Sequence, residues 1–357
     1  MSGTSLDGVD AALVSFASST PKILATSYLP YPDEVRGEAL SLHQTGSDEL
    51  HRSALLAQAL SHLYAKACLQ LLAETAIDSA SVAAIGCHGQ TIRHRPEAGY
   101  SLQISNPSLL AELTGIAVIT DFRNRDIAAG GQGAPLVPAV HEALFRSTTT
   151  HRALLNLGGI ANLTNLPCDN ISPVTGFDCG PANMLLDAWI ERHHGAKYDK
   201  NGDWAKQGKV LIPLLDKLFE HAFFNVSPPK SCGREEFNLD WINANLIGNE
   251  QPVDVQATLT ELTAVACQRA ALQWCPGVTE IYACGGGAHN RTLMDRLGEL
   301  LPHCAIHTTA ALGIPPDWVE AVAFAWLARQ HVLGLPGNLT TVTGARGPRI
   351  LGATYPA

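Results

Sequence analysis

Glycine-bearing loops at four widely spaced points constrain this chain more than any other feature. They are Met1-Ser-Gly-Thr-Ser-Leu-Asp-Gly-Val-Asp10, Leu155-Asn-Leu-Gly-Gly-Ile-Ala-Asn-Leu163, Gly176-Phe-Asp-Cys-Gly-Pro-Ala-Asn183 and Ala283-Cys-Gly-Gly-Gly-Ala-His-Asn290. The first, second and fourth each border an apolar, strand-like run. Glycine lets main-chain N–H groups come close to an anion and adopt positive φ. Three such loops, with Phe177-Asp178 between them, predict a phosphate site assembled from two lobes. No G-x-x-x-x-G-K-[ST] run occurs, so a nucleotide site here is not of the P-loop type.

The 357 residues suggest about two domains. Val9 to Phe16 and Ile23 to Leu29 read as antiparallel strands joined by Ser18-Ser-Thr-Pro21. Glu49 to Thr75 carries Leu and Ala at helical spacing. Ser81 to Cys87 reads as a buried strand, followed by the loop His88 to Thr91. Ser101 to Ile104 is a strand, Asn106-Pro107 opens a helix to Thr114, and Ile116 to Thr120 is a strand. Further on, His151 to Leu157, Ile160 to Leu166 and Val174 to Phe177 read as strands, with Gly158-Gly159 turning the first pair. Helices are predicted from Pro181 to His194, Val253 to Trp274, Asn290 to Leu300 and Pro316 to Leu333. Thr279 to Cys284 and Cys304 to Thr308 are strands. The class is α/β with mixed β-sheets, each half a meander followed by β-α units. We expect one domain from 1–130 with a returning tail at 338–357, and a second from 131–337. The Gly-rich stretch Ala129 to Ala134 marks the boundary.

A net charge of −9 argues against a broad nucleic-acid footprint. No apolar run reaches the ~18 residues that cross a bilayer, and the N-terminus lacks a basic n-region. Nine scattered Cys without a C-x-x-C pair read as reduced thiols of a cytoplasmic protein. Met1 lies directly in the first loop, and Val9 to Phe16 has no partner strand before it. The reading leaves room for a few residues of a preceding strand.

Asp178 follows a strand and precedes a helix. A carboxylate there suits a general base, and equally a helix cap. Gly3, Thr4, Ser5 and Asp7 suit phosphate oxygens, with Asp7 able to hold Mg²⁺ through water; Asp-Gly is also a hairpin signal. Gly158 and Gly159 carry the same two readings. Gly285, Gly286 and Gly287 suit nucleotide contact near a helix N-terminus, or simply a tight turn. Arg123 and Arg125 flank Asn124; a guanidinium there can grip a carboxylate bidentately or pair with Asp121 or Asp126. Glu320 opens an apolar helix, where spacing alone favours a helix-dipole role. His88 and Gln90 are loop polars with structural or site roles. His193-His194, His303 and His307 show no metal-binding spacing and read as surface residues.

Six motifs in order resemble one family. They are Ser2-Gly-Thr-Ser-Leu-Asp-Gly-Val-Asp10, Cys87-His-Gly-Gln-Thr91, Asp121-Phe-Arg with Asp126 and Ala129-Gly-Gly-Gln-Gly-Ala-Pro135, Asn156-Leu-Gly-Gly-Ile-Ala-Asn162, Gly176-Phe-Asp with Gly180-Pro-Ala-Asn183, and Cys284-Gly-Gly-Gly-Ala-His-Asn290. Across essentially the whole chain this resembles anhydro-N-acetylmuramic acid kinase, of the actin/sugar-kinase/heat-shock ATPase superfamily. The resemblance implies a two-lobed actin-like, ribonuclease H-like architecture with mixed sheets and an interlobe cleft. It implies ATP with Mg²⁺, and an enzyme that uses water to open 1,6-anhydro-N-acetylmuramic acid. The product is N-acetylmuramic acid 6-phosphate, within cell-wall recycling.

It further implies that Asp178 activates the water, with Glu320 as a sugar or water contact. Arg123 then takes the lactyl carboxylate, near His88 and Gln90. The loop Gly3, Thr4, Ser5, Leu6, Asp7, Gly8, Val9 and Asp10 meets ATP together with Asn156, Gly158, Gly159, Gly285, Gly286, Gly287 and Asn290. Closure of the lobes and a homodimer are implied, with no membrane or nucleic-acid partner. Two departures stand out. The strand before Ser2 is lacking, and Cys179 replaces the more usual Thr. Two rivals are an ATP-independent glycoside hydrolase using Asp178 and Glu320, and a nucleotide-dependent filament protein.

Overall fold

The structure, a computed structural model, describes all of residues 1–357 except Thr4, Ser5, Ser19 and Asn170. Contacts divide the chain into two units, Met1–Leu144 with Glu320–Ala357, and Phe145–Val319. The sequence reading placed these divisions at 130/131 and 337/338. The Gly-rich stretch instead folds onto the first unit. Gln132 N–H donates to the Thr343 carbonyl and Arg346 N–H to the Ala129 carbonyl. Leu136, just ahead of the helix at the division, and Val140 within it share a core with Phe324 and Leu327 of the returning segment.

The first unit runs β1 (Gly8–Ser15), β2 (Lys22–Pro30), α1 (Asp33–Ser41), α2 (Glu49–Thr75), β3 (Ile85–Gly86), β4 (Gln90–Arg95), β5 (Tyr100–Ile104), α3 (Pro107–Thr114), β6 (Val118–Thr120), α4 (Asn124–Ala128) and α5 (Val137–Phe145). The second runs β7 (Arg152–Leu157), β8 (Ile160–Leu166), β9 (Thr175–Pro181), α6 (Asn183–His194), α7 (Ile212–Phe219), α8 (Leu239–Asn245), α9 (Pro252–Trp274), β10 (Glu280–Cys284), α10 (Arg291–Leu300) and β11 (Ala305–Thr308). The chain returns to the first unit through α11 (Val319–Val332), α12 (Thr340–Thr343) and β12 (Ala353–Tyr355).

In the second unit one sheet has the order β11-β10-β7-β8-β9. β7, β8 and β9 form an antiparallel meander, and β10 and β11 add in parallel beside β7. This meander with parallel additions is the lobe that the sequence predicts. Leu155, Leu157, Leu163 and Phe177 from the sheet share a core with Ala264, Cys267 and Ala271 of α9 and with Leu293 and Leu297 of α10. α9 buries residues around most of its circumference, as a helix covered on several sides must.

The first unit builds smaller sheets: β1-β2, β4-β5 and β12-β6-β3. β12 pairs antiparallel with β6, so the tail does return to this unit. A three-stranded opening meander, expected here as in the second half, is not formed among the described residues. α2 has the range that its Leu and Ala spacing predicts, burying Leu56, Leu60, Tyr64 and Leu71 on one stripe. α3 starts with Asn106 accepting the Leu109 N–H and ends on Gly115 in the left-handed region. The strand read over Ser81–Cys87 shrinks to β3, because Ser79–Ser81 forms a 3-10 turn capped by Asp78. The loop read at His88–Thr91 ends early, since Gln90 begins β4. α1, α7 and α8 carried no signal that the sequence reading registered. No helix among the described residues is long and apolar enough to cross a membrane.

Candidate functional site

Asp178 lies inside β9, which runs on to Pro181, and α6 begins only at Asn183. The helix-cap reading of Asp178 therefore fails: the cap position is Ala182, and no side chain caps it. Asp178 is instead clamped by the loop that follows Pro228-Pro229. Its N–H donates to the Lys230 carbonyl at 3.1 Å, and its Oδ2 accepts the Cys232 N–H at 3.0 Å. The other carboxylate oxygen makes no hydrogen bond to a described residue. Burial pushes this carboxyl up to about 6, against the Cys232 hydrogen bond and the Lys230 charge, which pull it down. Desolvation thus outweighs both stabilisers of the charged form. Lys230 is anchored by its Nζ to the Phe223 carbonyl at 3.2 Å and sits over the Phe223 ring. Cys179, next along the strand, faces the other way into the core.

Around the end of β7 the glycines divide into two kinds. Gly285 has φ +76°, and a Cβ there would meet Asn156 Oδ1 at 2.5 Å. A Cβ on Gly287 would meet that of Leu157 at 2.6 Å. Both are glycine because the fold needs them so. At Gly158, Gly159 and Gly286 a Cβ would meet nothing nearer than 3.6 Å, and none of the three has a left-handed φ. Packing does not explain these three. The carbonyls of Gly158 and Gly159 accept the N–H groups of Asn183, Ala182 and Met184 at the start of α6. Their own N–H groups are bonded to no described residue. Asn183 Nδ2 donates to the Leu157 carbonyl at 2.9 Å, tying α6 to the same strand end. Asn290 is committed to capping α10 through the Leu293 N–H and is buried. His289 and Asp317 pair at 2.8 Å on the exposed side of the Gly286 turn.

In the first unit, Arg123 donates through Nε (3.3 Å) and Nη2 (3.0 Å) to His88 Nε2, and through Nη1 to the Gly133 carbonyl at 2.8 Å. With Nε2 accepting, the His88 proton sits on Nδ1, which faces the Ser2 carbonyl at 3.2 Å. Burial and the Arg123 charge hold His88 well below its usual range, so the ring is neutral. The alternative reading, an ion pair of Arg123 with Asp121 or Asp126, is not what forms. Asp126 instead accepts from Asn338, Thr343 and the Gly133 N–H, and Asp121 from Asn124. Burial lowers Arg123 to about 10, with Glu320 opposing that shift.

Glu320 stands in the first turn of α11, is reached by solvent, and is yet densely surrounded. Burial raises its carboxyl, while Arg123 lowers it and Asp7 raises it. Its place in the first turn of α11 is also the one the helix-dipole reading expects. Gln90 is fully buried, accepting the Tyr31 hydroxyl at 3.0 Å and donating to the Gly3 carbonyl at 3.1 Å. Ser2 Oγ bonds Tyr64 and the Gly89 carbonyl. His88, Gln90 and Ser2 therefore hold the root of the first loop. Thr4 and Ser5 lie outside the described residues. Asp7 is exposed, and Gly8 abuts the Leu29 carbonyl, which a Cβ there would strike. Among the described residues no three His, Cys, Asp or Glu side chains gather to hold a metal.

The sequence profile described as Anhydro-N-acetylmuramic acid kinase matches residues 1–357. The chain belongs to this family. An anhydro-N-acetylmuramic acid kinase of Nitrosomonas europaea is 54% identical, covering 100% of this chain and 98% of its own. One of Thiobacillus denitrificans is 55% identical, at 100% and 96% coverage. A solved activator of the 2-hydroxyisocaproyl-CoA dehydratase from Clostridium difficile, with bound ADPNP, aligns over 88% of this chain and 90% of that one. Its identity is 13% and its TM-score 0.42, too slight to bear on fold or function.

In this member of the anhydro-N-acetylmuramic acid kinase family, the expected residues gather as two groups. Arg123, His88, Gln90, Glu320 and the Gly3–Asp10 loop belong to the first unit. Asn156, Gly158, Gly159, Asp178, Gly285, Gly286, Gly287 and Asn290 belong to the second. Sequence reading missed the Lys230–Cys232 clamp, Asn183, and the His289–Asp317 pair. Pro228-Pro229 and Gly233 bracket the clamp and punctuate it as an ordered loop. Nothing local links it to a strand some fifty residues earlier.

Proposed function

We propose that this protein is an ATP-dependent kinase that opens 1,6-anhydro-N-acetylmuramic acid with water and phosphorylates its O6. The products are N-acetylmuramic acid 6-phosphate and ADP, in peptidoglycan recycling. Family membership over the whole chain supports the reaction. The observation that carries the mechanism is Asp178: a shielded carboxylate, gripped on one oxygen only, with its affinity for protons raised towards neutrality. At pH 7 it is mostly ionised and able to accept a proton.

In this reading Asp178 takes a proton from a water that attacks the anomeric carbon. The bond from that carbon to O6 breaks, and O6 attacks the γ-phosphorus in line. Arg123, preset by His88 and the Gly133 carbonyl, keeps N–H groups to spare for the lactyl carboxylate. Glu320 serves as a polar contact to sugar or water. The N–H groups of Gly158, Gly159 and Gly286 suit phosphate oxygens, and the Gly3–Asp10 loop supplies a second phosphate-facing segment. Gly285, Gly287 and Asn290 then act by shaping this surround. Mg²⁺ commonly takes one or two carboxylates with phosphates and waters. The exposed Asp7 fits that pattern through water, and the ion would neutralise phosphate charge. The reading includes a cytoplasmic homodimer.

The test is to follow ADP and ring opening together. ADP should form only when the anhydro sugar is present, one ADP per sugar opened. Ring opening without ATP would point to a glycoside hydrolase, and ATP-dependent assembly without sugar turnover to a filament protein.

A further inference from the structure

Both ring nitrogens of His88 are engaged, and they face different parts of the first unit. Nε2 accepts from Arg123 Nε at 3.3 Å and Nη2 at 3.0 Å. Nδ1 donates to the Ser2 carbonyl at 3.2 Å. Arg123 carries only donors, so this tautomer is the one that satisfies both neighbours. Moving the proton to Nε2 would set donor against donor at Arg123 and acceptor against acceptor at Ser2. The ring is buried and packs on Phe324, with centroids 4.6 Å apart. It has no polar atom to spare for a ligand.

On the Nε2 side, Arg123 spends three of its five N–H groups. Nε and one on Nη2 go to His88, and one on Nη1 goes to the Gly133 carbonyl. One N–H remains on each terminal nitrogen, a pair that suits the two oxygens of a carboxylate. On the Nδ1 side, the Ser2 carbonyl is turned to the ring. The Ser2–Gly3 peptide is trans, so its plane turns the Gly3 N–H the opposite way. That N–H donates to no described residue. Gln90 Nε2 holds the next carbonyl, of Gly3, at 3.1 Å, and Ser2 Oγ is fixed by Tyr64 at 2.8 Å and the Gly89 carbonyl at 3.1 Å. Of these anchors, His88 is the one that also grips Arg123.

We propose that His88 is a positioning residue shared by two subsites: through Nε2 it aims the spare N–H groups of Arg123 at the sugar carboxylate, and through Nδ1 it turns the Gly3 N–H towards phosphate. The inference rests on the kinase reading above. It assigns to one buried ring, which touches neither ligand, the geometry of a group for each. Loss of the ring's two hydrogen bonds therefore acts on both substrates, where loss of Arg123 acts on one.

The test compares His88→Phe and His88→Gln with the parent in steady-state kinetics. Phe keeps the bulk of the ring and loses both bonds. It should raise the KM for 1,6-anhydro-N-acetylmuramic acid and the KM for ATP at least about fivefold each. The fall in kcat should be smaller, about threefold or less, because the groups set loose are remote from the reacting atoms. Gln offers one acceptor and one donor and should recover part of both KM values. A rise in one KM alone, or a Gln variant no better than Phe, overturns the proposal. Nitrogen NMR of the parent with labelled histidine decides the matter even if His88→Phe fails to fold. The His88 signals should report the Nδ1–H form. They should move when the anhydro sugar is added alone and again when β,γ-methylene ATP is added alone; movement with one ligand only, or with neither, overturns the proposal. A parent that turns over both substrates, with His88 variants that keep its KM values, overturns this inference and leaves the kinase reading standing. A parent inert towards both substrates removes the two together.

Discussion

Asp178 is held by the main chain of a distant loop and Arg123 by the His88 side chain and the Gly133 carbonyl, and that holding sets what they can do. Asp178→Asn keeps the Cys232 hydrogen bond and removes the base. We predict a fall in kcat of about 10²–10⁴, the scale of general-base catalysis, with both ligands still binding. The parent's kcat should rise with pH through a limb near 6, where Asp178 ionises, and the Asn variant should lack that limb. Stability runs the opposite way. A carboxyl with a raised folded pKa holds its proton more tightly when folded, so its contribution is full below its unfolded value and lost as pH rises through about 6. Asp178→Asn should therefore be more stable than the parent at pH 8, by up to about 3 kcal/mol, and match it near pH 3.5. Denaturant melts at the two pH values check this; a less stable Asn variant at pH 8 would return Asp178 to a structural role. Arg123→Ala should raise the KM for the sugar at least tenfold with little change for ATP, since a charged contact is worth about 1.5–3 kcal/mol. Arg123→Lys should recover only part, lacking the planar fork.

At the scale of elements, the turn after β10 and the β7–β8 turn separate glycines by purpose. Gly287→Ala drives a methyl onto Leu157, and should lower stability by about 1–3 kcal/mol, as overpacking does. Gly286→Ala and Gly159→Ala make only ordinary van der Waals contacts, at 3.6 Å and 3.7 Å, and should melt like the parent. If these turns cradle phosphate, the same two changes should weaken ATP binding several-fold. Calorimetric titration with an ATP analogue separates the cases. Unchanged affinity in both would leave these glycines without a ligand-based reason. The strand lengths carry a similar lesson. β9 reaches past Asp178 to Pro181 because Ile160 and Ala161 of β8 remain there to pair with it. A local reading ends the strand at the polar residue, where the neighbouring strand continues it.

Across the whole molecule, the fully buried Asp126 joins the Gly-rich stretch to the returning tail. It accepts from Gly133, Asn338 and Thr343 at 2.7–2.8 Å, and Gly131 leaves room for its carboxylate. Asp126→Ala strands these donors. We predict a loss of about 3 kcal/mol or more, read as an earlier denaturant midpoint. The sugar KM should follow only through Arg123 and Gly133, which share this loop.

The four glycine loops, α2, α3 and the β7–β8–β9 meander were legible from the chain, because each depends on contacts or periodicities within a few residues. Asp178, Arg123 and the Gly158-Gly159 turn stood out in the chain as residue types suited to phosphate and carboxylate chemistry, and their roles are proposals. What local pattern left open was which partner each residue meets. The cap reading of Asp178 stayed open until β9 carried the strand past it and left the helix to begin at Asn183. The ion-pair reading of Arg123 stayed open until His88 and Gly133 took its guanidinium and Asp126 turned to the tail. Gly287 and Gly286 are adjacent and identical in sequence terms, and only the approach of Leu157 tells them apart. These outcomes rest on long-range packing and hydrogen-bond competition among groups far apart in the chain, and the tertiary structure alone decides them.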